Sequence, residues 1–235
     1  MIEHHRKHCV LHILPGESEQ RLLDGRPVYE IPCAKADAFG NLITQAHVND
    51  CVGPLVFINQ DDWISVLVQF DELWLDPACD HIDIDIIAMQ AVRFGMPVHF
   101  YDLKSNSFIE RPLFKQDIKS IIDNLDERDQ LRKKTFNSFP SFNFCLDYSA
   151  SSPLWCDGMI PYEELYLPYP LMRRMSHWIE EYDANDHSYD PFTKERENEE
   201  WQMWHKWFIQ EGRNIYQTLK ALLGDRVHTS LSELK

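Results

Sequence analysis

Two groups of acids hold most of the chemistry this sequence offers. Asp76, Asp80, Asp83 and Asp85 crowd a loop and the start of a helix, with His81 among them. Two carboxylates brought together can do acid/base or nucleophilic chemistry on a sugar. Carboxylates beside an imidazole can instead ligate a metal, and acids near a helix N-terminus also complement its dipole. Asp83 and Asp85 are the alternative catalytic pair; beyond them the residues nominate no catalytic group, metal site or cofactor. No glycine-rich phosphate loop is present, so neither a dinucleotide fingerprint nor a P-loop has support. The second group runs through Glu180, Glu181, Asp183, Asp186, Asp190, Glu195, Glu197, Glu199 and Glu200, flanked by Tyr182, Tyr189 and Trp201. Charges steer an encounter and aromatics anchor it. Glu180, Glu181, Tyr182, Asp183, Asp186, Tyr189 and Asp190 are therefore the candidate partner-binding residues; a merely solvated acidic loop is the competing reading.

The first acids belong to a strand, loop, helix and strand. Glu72 to Leu75 is a short apolar run of strand length. Ile84, Ile87, Ala88, Ala91 and Val92 recur at helical spacing, Gly95 and Pro97 end the helix, and Val98 to Tyr101 form the next strand. Such a unit is parallel and right-handed. Upstream, Cys9 to Leu14, Val28 to Pro32 and Pro54 to Ile58 read as strands, the last as one buried on both faces. Glu17 to Leu23 reads as a short helix, and Ala38 to Asn41 as a turn. Alternating strands and helices imply an α/β fold with a small, doubly wound, mostly parallel sheet. It is followed by a smaller α+β segment. Leu171, Met175, Trp178 and Tyr182 fall on one helical face, and Trp201, Trp204, Phe208, Ile215, Leu219 and Leu222 on another, which predicts an antiparallel helix pair. The expected organisation is an α/β (Rossmann-like) domain over 1–125, a connector over 126–140 and an α+β domain over 141–235.

The 235 residues suffice for one large or two small domains. Acids outnumber bases 38 to 23, for a net charge of -15, which argues against a phosphate backbone as partner. It favours solubility or a basic protein partner. No stretch of eighteen apolar residues exists, so no membrane span is expected. The charged N-terminus is followed by no apolar region long enough for a signal peptide, so a soluble, cytoplasmic protein is expected. Its cluster of His4, His5 and His8 reads as a terminal arm. Cys9, Cys33, Cys51, Cys79, Cys145 and Cys156 include no CxxC pair and read as reduced, buried thiols.

Two resemblances follow. DELW, a loop, an apolar helix ending AVRFGMPV and an aromatic strand resemble the last strand-helix-strand unit of nucleoside 2-deoxyribosyltransferase-like proteins. Those are small α/β domains that cleave or exchange N-glycosidic bonds. The resemblance covers about Phe57 to Tyr101. In that family a glutamate nucleophile lies two turns before the glycine; the matching position here is Ile87, although the alanine that follows matches Ala91. The resemblance thus implies the architecture, and the chemistry only if Asp83 or Asp85 substitutes. From Leu146 to Asp225 the chain is similar to uncharacterised bacterial immunity-type proteins of polymorphic toxin systems. LDYSASSPLW, LxLPxPLxxRMxxWxxEYD and WFxxEGRxxYxxLxxLLGD carry that likeness, with Trp155, Arg173, Trp178, Glu181, Glu211 and Gly212 among the matching positions.

The first functional expectation is an acidic protein that neutralises a basic partner, most naturally an immunity protein bound to a toxin enzyme. The alternatives are an enzyme that processes nucleosides or nucleotides, and a nucleotide-sensing module.

Overall fold

The structure is a computed structural model. It describes residues 64–78, 84–102, 104–105, 107–110, 118–147, 150–184 and 199–234, and the backbone of five strands upstream. Those strands are β1 (Val10–Leu14), β2 (Leu22–Leu23), β3 (Arg26–Pro32), β4 (Leu42–Val48) and β5 (Cys51–Phe57). There follow α1 (Ile64–Leu67), β6 (Glu72–Leu75), α2 (Ile84–Arg93), β7 (Val98–Asp102), β8 (Ser107–Ile109) and α3 (Ile118–Ser138). The chain ends with β9 (Phe142–Phe144), β10 (Leu154–Trp155), α4 (Tyr169–Ala184), α5 (Glu199–Leu223) and β11 (Val227–His228). It divides into two compact units between Asp129 and Gln130, a point inside α3. That helix occupies most of the stretch read from the sequence as a connector.

The N-terminal unit holds a six-stranded sheet in the order β2-β3-β1-β6-β7-β8. Its four inner strands are parallel and its two outer pairs antiparallel. Leu73 and Leu75 are fully buried on β6, and α2 packs on β6 and β7 with Ile87, Ala88 and Ala91 buried. Gly95 takes a left-handed φ of 73°, which lets the Met96 N–H reach back to the Ala91 carbonyl at 3.0 Å and close the helix. Val92, read as part of the apolar face, is instead 55% exposed: one residue past Ala91 the helix has turned about 100° away from the sheet.

Two upstream elements differ from expectation. The apolar run at 54–58 lies mostly in β5, which pairs antiparallel with β4 in a separate two-stranded ladder rather than entering the parallel sheet. An apolar run does not specify its neighbour, and a hairpin partner two residues away closes a far shorter loop than a distant strand does. Leu22–Leu23, read as a helix end, form β2 and pair with β3 across a similarly short connection.

The C-terminal unit is built around β9, the centre of a three-stranded sheet ordered β10-β9-β11. Phe142 and Phe144 are fully buried on one face and Asn143 points to the other. Phe136, near the end of α3, stacks on Phe142 at 4.9 Å. Arg226 then donates to the carbonyls of Phe136 and Phe139 at 3.1 and 2.6 Å, satisfying acceptors that a helix end leaves open. α4 begins at Tyr169 with Pro170 in its first turn, where a missing N–H costs nothing. Leu171, Met175 and Trp178 are buried as their spacing predicts; so are Trp201, Trp204, Phe208, Ile215 and Leu219. Leu222 is 51% exposed, past the last turn that meets α4.

Candidate functional site

The partner of α4 is α5, and contacts between them run in opposite sequence directions, so the two helices are antiparallel. Arg174 Nε donates to Glu211 Oε1 at 2.7 Å. One turn on, the ring of His177 lies 5.5 Å from that of Trp207. One turn further, Trp204 Nε1 donates to Glu181 Oε2 at 3.1 Å. These three contacts form a ladder along one flank of the seam. At its core Trp178 is fully buried and stacked between Phe144 and Phe208 at 5.0 and 4.9 Å. Its indole N–H donates to the Phe208 carbonyl at 2.9 Å. Gly212 makes that approach possible, since a Cβ there would sit 2.6 Å from Trp178 Cζ2. The helix backbone is thus bare where the indole lies against it.

The acids at the far end of the pair fall into two kinds. Glu180 is anchored within α4: Ser176 Oγ donates to its Oε1 at 2.9 Å, Arg173 Nη1 lies 3.8 Å from Oε1, and His177 Nδ1 lies 3.9 Å from Oε2. Tyr162 is buried beside this cluster. Its hydroxyl faces Ser176 and Glu180 without a well-formed hydrogen bond. Burial first, and the Glu180 charge second, push its pKa well above 10.0, against the smaller opposing effect of Ser176. Glu181 is half-buried and receives the Trp204 indole, and half-buried Tyr182 turns its ring to Phe208 at 6.3 Å. Asp183 and Glu199 are exposed, at the last turn of α4 and the first of α5. Of the sequence-nominated partner residues the structure therefore gathers Glu180, Glu181, Tyr182 and Asp183 at one end of the helix pair. Asp186, Tyr189 and Asp190 lie outside the described residues.

In the N-terminal unit, Asp76 is buried at the end of β6 and accepts the Ala78 N–H at 2.8 Å, while Asp85 is buried in the first turn of α2. Ile87 is 1% exposed in the packed face of α2. Asp80, His81 and Asp83 lie outside the described residues. Among the described residues no three His, Cys, Asp or Glu side chains group as metal ligands, and no helix is long and apolar enough to cross a membrane. Cys145 and Cys156 are free thiols, half-buried rather than buried; desolvation, then the Asp147 charge, raises the Cys145 pKa.

The sequence reading named Gly212 only as a matching position and missed its packing role, along with Arg226 and the anchoring of Glu180. A signal for the first was present: Gly212 interrupts the apolar stripe between Phe208 and Ile215 where a large side chain is due. The others depend on which residues two elements bring face to face, which no local pattern records.

Residues 142–233 match the family model described as Serratia CdiI immunity protein-like. The match begins at β9 and includes both helices of the seam. No curated protein and no solved structure matches the chain.

Proposed function

We propose that the chain is an immunity-type protein that neutralises a toxin enzyme by binding it, with the acidic end of the α4–α5 pair turned toward a basic surface of that toxin. The family match over 142–233 is the observation that carries the reading. The charge balance supports it: a net charge of -15 draws a basic partner in and accelerates encounter. On this reading the protein acts in the cytoplasm by occlusion rather than turnover. Glu181 and Tyr182 brace the helix pair, while Asp183 and Glu199, both exposed, carry the steering charge.

The test is co-production of the chain with toxin domains from its own organism. Cells making both grow, and cells making the toxin alone do not. In vitro, Asp183→Lys with Glu199→Lys slows association and flattens its dependence on salt, with the dissociation rate changed much less. An association rate unchanged by the double reversal would remove this end of the helix pair as the steering surface. Failure of the chain to protect cells would remove the immunity reading itself.

A further inference from the structure

Among the described residues, Asp157 alone combines a side chain with a left-handed backbone, at a φ of 56°. Most side chains are excluded from that region, and aspartate is one of the few types that visits it. The residue stands at the tip of the hairpin that continues β10. Trp155 pairs with Met159, the Cys156 N–H donates to the Gly158 carbonyl at 2.8 Å, and the Ile160 N–H donates to the Leu154 carbonyl at 2.8 Å. Leu154 and Ile160, at the base, are buried; Asp157, Gly158 and Met159 are exposed. Other turn aspartates put their carboxylates to use. Asp76 accepts the Ala78 N–H at 2.8 Å and Asp102 the Lys104 N–H at 2.9 Å, each two residues ahead. Asp157 does not: among the described residues neither its carboxylate nor the Gly158 N–H has a hydrogen-bond partner. Nothing stands within 4 Å of the place a Gly158 Cβ would take. A solvated carboxyl group thus adjoins an unhindered and unengaged backbone nitrogen.

We propose that Asp157–Gly158 is a site of spontaneous covalent modification, where the aspartate isomerises to isoaspartate through a cyclic imide. The Gly158 nitrogen attacks the side-chain carbonyl carbon of Asp157 in its protonated, carboxylic acid form. A C–N bond forms, the C–OH bond breaks, and the proton of the nitrogen leaves with the hydroxyl as water. Water then reopens the ring. Where it attacks the former main-chain carbonyl, the chain afterwards runs through Cβ, one carbon longer, with the free carboxylate on Cα. One water is lost and one regained, and nothing is oxidised or reduced. Glycine at 158 leaves the nitrogen open, since any side chain there would crowd the attack. The product is also free of the left-handed conformation that the hairpin imposes on Asp157. The extra carbon falls inside the loop closed by Cys156 and Gly158, so that hydrogen bond is lost. The bond between Leu154 and Ile160 remains, held by two buried side chains. The unit stays folded while its exposed tip changes shape. The sequence holds a second such dipeptide, Asp24–Gly25, which lies outside the described residues.

The folded chain is held at neutral pH for weeks, sampled and digested. Electron-transfer fragmentation of the peptide that contains Trp155 to Met159 distinguishes the two isomers, which have equal mass. Isoaspartate accumulates at position 157, and several-fold more slowly, if at all, at positions 76 and 102. A methyltransferase that esterifies isoaspartate from S-adenosylmethionine labels the same peptide. Gly158→Ala places its methyl in open space, folds as the wild type does, and slows accumulation several-fold. Asp157→Glu, which would need a six-membered ring, accumulates none. Accumulation at 157 no faster than at 76 and 102, or a rate unchanged by Gly158→Ala, would overturn the proposal. So would a synthetic peptide of the sequence from Leu154 to Ile160 that isomerises while the folded chain does not, because the hairpin would then protect the site. None of these outcomes bears on toxin binding, so the immunity reading stands or falls separately.

Discussion

Gly212→Ala tests how closely the two helices of the C-terminal unit are fitted. In an exposed helix this change stabilises by about 1 kcal/mol, because alanine loses less backbone freedom than glycine. Here the new methyl would meet Trp178 Cζ2 at 2.6 Å, Trp178 Cε2 at 2.9 Å and Leu234 Cδ2 at 3.0 Å. Carbon atoms settle at about 3.5–4.0 Å, so the indole has to retreat by roughly 1 Å. It has nowhere to go: Trp178 is fully buried, with Phe144 and Phe208 stacked on its two faces. Overpacking of this kind costs about 1–3 kcal/mol. Retreat also stretches the 2.9 Å bond from the indole N–H to the Phe208 carbonyl, leaving a buried donor unsatisfied. That adds about 1–3 kcal/mol. With the helix gain subtracted, the net loss is about 3 kcal/mol. For a unit of this size that lowers the midpoint of thermal unfolding by roughly 10 °C or more. Urea unfolding measures the loss, and Trp178→Phe in the same background relieves part of it by removing the atoms that collide. A Gly212→Ala protein as stable as wild type, or more so, would refute the close approach.

Two further predictions concern buried polar groups. Tyr162→Phe leaves stability at neutral pH unchanged or slightly raised, because the hydroxyl it removes has no well-formed hydrogen bond. Above pH 10 the unfolded tyrosine ionises while the folded one, its pKa raised by burial, stays protonated, so wild-type stability falls there as the pH rises. Unfolding at pH 7 and at pH 10–11 checks both, the variant lacking that part of the alkaline loss. Arg226→Ala frees the last carbonyls of α3 and uncovers the Phe142 ring beneath the guanidinium, costing about 2 kcal/mol by urea titration. Arg226→Lys recovers only part of this, since both bonds leave one guanidinium nitrogen, Nη2, and a lysine lacks the flat group that lies over the Phe142 ring.

Much of this molecule was legible because periodicity reports one-sided burial. The spacing in α2 located a helix between two parallel strands, and Leu171, Met175 and Trp178 located the face that α4 buries. Where two elements must find one another, local pattern was silent. Leu42–Val48 gave no strand reading, so β5 lost its true partner and was assigned to the wrong kind of sheet. Glu180 and Glu181 looked like interchangeable surface acids. Yet one is tied to Ser176, Arg173 and His177, and the other takes the Trp204 indole across the seam. Both attachments follow from helix register and helix pairing, which composition does not encode. The acidic character of this end was visible; which acids the helix pair ties down was not.

Amide hydrogen exchange of the chain, with and without a stoichiometric amount of the toxin domain it protects cells against, addresses the immunity reading most directly. The expected result is a complex in which exchange slows over the last turns of α4 and the first turns of α5, around Glu180 to Ala184 and Glu199 to Trp207. No complex, or a footprint confined to the unit before Gln130, would contradict it.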